Sequence, residues 1–105
     1  MTGTSDELAG VRERIDRLDE ELVGLLARRE ALVREAGRLK RTAAAVRAPA
    51  RVEEVIARAR ERAAVAGASA EVVERTYRAM IAAFVDLELA ATDLADERPT
   101  DGTAD

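Results

Sequence analysis

The chain contains no cysteine, no histidine and no tryptophan, and only one tyrosine and one phenylalanine among its 105 residues. The first absence excludes disulfide scaffolds, thiolate zinc sites and cysteine nucleophiles. The second removes every imidazole acid, base or metal ligand, so neither a metal nor a cofactor is expected. Scarce aromatics and a formal net charge of −4 argue against a nucleic-acid partner, which calls for a basic face and stacking platforms. No apolar run approaches the roughly 20 residues of a membrane span, and the opening MTGTSDEL has no signal-peptide core. A soluble cytoplasmic protein with no membrane partner is expected. No stretch alternates with period two long enough to make a strand.

Alanine, leucine, valine, glutamate and arginine dominate instead, a composition that favours helices. At this length one domain with a modest core is expected. Thr4 and Glu7 have the spacing of a capping box, which predicts a helix from there to about Arg41. Val11, Ile15, Leu18, Leu22, Leu25, Leu32, Ala36 and Leu39 form one seam along it, and Arg29 fills the vacancy in that series. Gly10, Gly24 and Gly37 lie within the pattern, each costing roughly 1 kcal/mol against alanine. Some 36 helical residues would make a rod of roughly 54 Å, longer than a small domain is wide. Its seam calls for a second chain, and an intertwined homodimer is predicted.

Thr42 to Ala50 breaks the period, and Pro49 disfavours helix at Ala48, so this stretch reads as a loop. A second helix is predicted from Pro49 or Ala50 to about Ala66, with Val52, Val55, Ile56, Ala59 and Ala63 inward and Gly67 ending it. Ser69 reads as the N-cap of a third helix, whose stripe Val73, Tyr77, Met80, Ile81, Phe84 and Leu87 runs to about Ala95. The fold class is therefore all-α, three helices in the order long, short, long. The ordered domain is 5–95, between disordered ends at 1–4 and 96–105.

Most charges, including Glu13, Asp16, Glu20, Arg28, Arg34 and Arg58, fall where a solvated face belongs. Others do not. Arg29 is on the seam; Arg12 and Lys40 share a heptad position at its rim; Glu88 continues the apolar stripe of the third helix; Arg51 opens the second. Continued as helix, the 11 residues from Arg29 to Lys40 leave the two within roughly 20° of one another. Arg12, 17 residues from Arg29, faces another side and would serve the same site from the partner subunit. Such cations suit a small di-anion, because guanidinium binds carboxylate bidentately and lysine adds a movable charge. The competing reading is structural: a seam arginine pairing with a glutamate across a helical dimer, and Glu88 as a helix-end carboxylate that reaches water.

The stretch LAGVRERIDRLDEELVGLLARREALVREAGRLK, followed by APARVEEVI and YRAMIAAFVDLELA, resembles the all-helical chorismate mutase family (chorismate mutase type II) over about residues 8 to 91. Within it, the run VRERIDRLDEELVGLLARR matches the family pattern residue by residue, and A-P-x-R-V is similar to the isochorismate pyruvate lyase branch. The resemblance implies a dimer of three-helix subunits with two sites, each enclosed by both chains. It implies that Arg12 from the partner subunit and Arg29 in cis clamp two substrate carboxylates, with Arg51, Val52 and Phe84 lining the pocket. Lys40 would approach the ether oxygen of the enolpyruvyl group, and Glu88, once protonated, would donate to the same oxygen.

Mutases commonly carry an acidic residue where this chain has Ala48, and a glutamate that receives the ring hydroxyl where it has Val52. Those departures favour the lyase branch, or enzymes of 4-amino-4-deoxychorismate; Glu88, a glutamine in the lyases, favours the mutases. Chorismate mutase is the first expectation and isochorismate pyruvate lyase the second. Both reactions are pericyclic and need no covalent intermediate, which suits a chain without histidine or cysteine. The non-enzyme alternative, a helical dimerisation module, expects Arg29 and Lys40 to pair with acidic residues of the protein itself.

Overall fold

Helices α1 (Gly3–Gly37), α2 (Ala43–Arg47), α3 (Pro49–Ala66) and α4 (Ala70–Thr92) follow one another in the computed structural model, which describes residues 3–92. The expectations of a third helix reaching Ala95 and of a disordered tail from position 96 lie outside the described residues. The described residues contain no strand, and none of their helices is long and apolar enough to cross a membrane. Long, short and long helices stand in the expected order, and the fold is all-α.

Internal contacts divide the chain into two units, 1–32 and 33–105. In the first, helix α1 is already formed at Gly3, so Thr4 lies inside the first turn instead of capping it. No described residue of this unit is buried. Its apolar seam, Val11, Ile15, Leu18, Leu22, Leu25 and Leu32, is between 41% and 65% exposed. The 3.6-residue period produced an amphipathic helix whose apolar stripe faces water in the single chain.

The second unit begins with the last turn of α1, which ends at Gly37 and not near Arg41. Glycine is a poor helix former, and the chain tightens there. The Leu39 N–H donates to the Ala36 carbonyl at 3.0 Å and the Lys40 N–H to the Gly37 carbonyl at 3.2 Å. The segment read as a loop holds one helical turn, α2. Thr42 caps it, its hydroxyl accepting from the Ala45 N–H at 3.0 Å, and three alanines propagate it. Ala48 then takes a left-handed conformation (φ 37°), closing α2 by donating to the Ala44 carbonyl at 2.8 Å and releasing the chain into Pro49, the first residue of α3.

The core of this unit is small: Ala43, Val46, Ile56, Ala59, Ala63 and Leu89 are its buried apolar residues. Ala43, Val46 and Leu89 cluster with half-buried Val85, joining α2 to α4. Ile56, Ala59 and Ala63 repeat at helical spacing along α3, the predicted inner face, with Val52 and Val55 half-buried beside them. Gly67 ends α3 with φ 81°, a left-handed position that glycine adopts without penalty. Ser69 starts α4 as predicted, its hydroxyl accepting from the Val72 N–H at 3.2 Å.

Candidate active site

Arg12 and Arg29 lie on α1 in the first unit, Arg12 exposed and Arg29 half-buried. Along one helix, 17 residues correspond to about 25 Å, farther than a small di-anion spans. The remaining expected residues belong to the second unit. Since α1 stops at Gly37, Lys40 stands in the turn after it, and the helical-face argument that aligned it with Arg29 does not apply.

What the structure does bring together is Lys40 and Glu88. The ammonium donates to the Glu88 carboxylate, 3.2 Å from Oε2 and 3.4 Å from Oε1, across 48 residues of sequence. Glu88 is the one buried charged residue among the described residues, 6% exposed. The reading of Glu88 as a carboxylate that reaches water is therefore overturned. Its place on the apolar stripe of α4, one turn after half-buried Phe84, carries it inward. A lysine has three protons, and the two contacts to Glu88 engage at most two of them. The ammonium therefore retains a donor for another acceptor.

Space for the Glu88 carboxylate comes from Gly37. A Cβ built on that glycine would sit 2.7 Å from Glu88 Oε2 and 3.4 Å from its carboxyl carbon. Gly37 is buried, and its backbone is that of an ordinary helix end. Sequence reading missed it, although a signal was there: a glycine kept inside a helical run, three residues before Lys40, at a cost in helix propensity. Around Glu88 opens a cleft of about 230 Å³, lined by Arg34, Gly37, Arg38, Leu87, Glu88 and Ala91. Of the expected site residues only Glu88 borders this cleft, and Arg34 and Arg38 supply its positive charge.

Arg51 stands in the first turn of α3 with its guanidinium 2.7 Å from Glu54, three residues on; both side chains are at least half exposed. The Arg51 hydrogen bond, followed by the charge of Arg58, holds the Glu54 carboxyl below its ordinary range. Val52 is half-buried beside Arg51 and offers a ligand apolar surface without an acceptor. Farther along, α3 and α4 are tied by a surface lattice. Arg78 donates to both oxygens of Glu53 (2.9 and 3.0 Å) and to Glu74 (2.8 Å), and Arg60 donates to Glu74 (2.7 Å). Hydrogen bonds from Arg78 lower the titration of Glu53, those from Arg78 and then Arg60 lower that of Glu74, and the two carboxylates raise Arg78.

The family model for chorismate mutase type II matches residues 11–89, about three quarters of the chain, a span that includes all seven expected site residues. No curated protein and no solved structure matches the chain.

Proposed function

The chain belongs to the chorismate mutase type II family, and from that premise we propose that it converts chorismate to prephenate in a site shared between two copies. The observation that carries this reading is the match to the family model over residues 11–89, and the buried Glu88 with the Lys40 ammonium 3.2 Å away is the pair it would use. A donor and a carboxyl held together in apolar surroundings can meet one ether oxygen, on which negative charge develops as the C–O bond breaks. Lys40 donates with its remaining proton, and Glu88, protonated, donates from the other side. Arg29, Arg51 and, from a second copy, Arg12 hold the two carboxylates and keep the enolpyruvyl arm over the ring in a near-attack conformer. The roughly 25 Å between Arg12 and Arg29 on one helix supports the contribution from a second copy. The exposed seam of α1 supports the same partner, since a stripe of large apolar side chains on a soluble chain calls for an apolar cover.

The apolar Val52 favours a second reading, isochorismate pyruvate lyase, in which a ring hydrogen moves to the enolpyruvyl group and pyruvate leaves salicylate. An enzyme acting on 4-amino-4-deoxychorismate shares that feature. The Lys40–Glu88 pair is equally what a dimerisation module without catalysis expects. One assay run on chorismate and on isochorismate, following prephenate and salicylate, separates these readings. Prephenate is the expected product, with turnover lost in Arg29→Ala and Lys40→Ala while sedimentation still reports a dimer. Parent-like turnover in either variant removes the assigned site. Glu88→Gln, which carries an amide donor in place of the carboxyl, is expected to keep turnover.

A further inference from the structure

We infer that Gly37 is a positioning residue for the Glu88 carboxyl: the place its missing Cβ would occupy is where the carboxyl sits, and this sets Glu88 against Lys40. The inference rests on the proposed role of that pair at the ether oxygen. Three observations carry it. The backbone of Gly37 does not demand glycine, since Gly67 alone among the described glycines has a positive φ. Alanine there would favour the last turn of α1 through its higher intrinsic helix propensity. Yet an alanine Cβ would meet Glu88 Oε2 at 2.7 Å, and the oxygen would have to retreat to at least 3.4 Å for ordinary contact. Glu88 is 6% exposed and the Lys40 ammonium stands 3.2 Å from the same oxygen, so a retreat into the adjoining cleft takes the carboxyl out of its place against the lysine.

Gly37 also fixes the other half of the pair, since its carbonyl accepts the Lys40 backbone N–H at 3.2 Å. One residue without a side chain thus anchors the turn that presents the lysine and clears the space that seats the carboxyl. Displacing a reacting group by a large fraction of an ångström costs on the order of ten-fold or more in rate, because donor geometry at the developing charge is lost.

The test uses the full chain and two readouts. Melting temperatures are measured for the parent, Gly37→Ala, Glu88→Ala and the double variant. Gly37→Ala is expected to lower the melting temperature when Glu88 is present and to raise it in the Glu88→Ala background, where only helix propensity remains. A shift of the same sign and size in both backgrounds overturns the inference. In the chorismate assay Gly37→Ala is expected to lower kcat about ten-fold with KM changed by less than about two-fold. Adding Glu88→Asp, one methylene shorter, should raise kcat above that of Gly37→Ala alone, a rescue that general loss of structure does not produce. Parent-like kcat in Gly37→Ala also overturns the inference. If the parent turns over neither chorismate nor isochorismate, the proposed function fails by itself, and the melting cycle decides the role of Gly37.

Discussion

Opposite charges tie helices together in two regions of this molecule, and they do so under different physical terms. On the α3–α4 surface, Glu53, Glu74, Arg60 and Arg78 form a lattice in which Arg78 grips one carboxylate with two nitrogens and a second with its third. The side chains of Arg78 and Glu53 are 43% and 66% exposed, so water replaces any contact that is lost. At the Lys40–Glu88 pair the carboxylate side chain is 5% exposed and the two residues are 48 positions apart. The Lys40 side chain is 28% exposed, so the pair holds the carboxylate out of water while the ammonium keeps partial access to it, and such a pair is weak evidence for stability. The exposed lattice is thus the cheaper one to break, and the pair with the buried carboxylate is the one whose presence asks for a functional reason.

The largest expected effect follows from removing one side of the buried pair. Lys40→Met leaves the Glu88 carboxylate buried without its lysine, and a loss on the order of 3 kcal/mol is expected in urea denaturation. Lys40→Met combined with Glu88→Leu replaces both ions by apolar groups and should recover most of that loss while showing no turnover. Should Lys40→Met fall within about 0.5 kcal/mol of the parent, the pair is energetically a surface contact and the contrast with the lattice disappears.

A smaller effect is expected on the lattice. Arg78→Gln removes the contacts to Glu53 and Glu74, yet every group it abandons has access to solvent. Its melting temperature should fall by less than that of Lys40→Met, and raising the salt from about 0.01 M to about 1 M should bring it towards the parent. The Lys40→Met deficit should persist at high salt, because screening does not reach a buried charge. Equal salt responses in the two variants would erase the distinction.

The helices were legible in the sequence wherever period and caps agreed: Ser69 and Gly67 bound α4 and α3 as their chemistry demands. Legibility failed where a local cap worked against the seam. Thr42 and three alanines make a helical turn too short to leave a periodic trace, and Gly37 stops α1 while the apolar spacing continues to Leu39. Lys40 and Glu88 were singled out separately as charges in the wrong place, but only the fold could pair them, since no periodicity relates positions 48 apart. Gly37 was visible only as a cost in helix propensity. Its use appears once the Glu88 carboxyl is seen against the space its Cβ would fill. Ala48 stands where the family commonly has an acidic residue, and it bears a left-handed backbone, which alanine tolerates less well than asparagine, aspartate or glycine.

Acid pH sharpens the comparison on the smallest scale. Glu53 and Glu74 titrate below ordinary carboxylates, chiefly because Arg78 hydrogen-bonds their charged forms, and Glu54 does so through Arg51. Unfolded carboxylates titrate near about pH 4.3, so between that value and the lower folded ones the unfolded state binds more protons. The contribution of these groups is therefore fully present above the unfolded value and is lost as pH falls through the folded values. Glu53 and Glu54 are exposed and Glu74 is half-buried with access to solvent, so the slope is expected to be shallow. Denaturation followed from about pH 6 down to about pH 3 should show stability declining less steeply in Arg78→Gln than in the parent, the two curves converging at the acid end. Arg51→Gln removes only the Glu54 part and should flatten the curve less, since Arg58 still faces that carboxylate. If Arg51→Gln flattens the acid slope as much as Arg78→Gln, the α3–α4 lattice is no stronger than one contact within a single helix. The contrast between regions would then rest on burial alone.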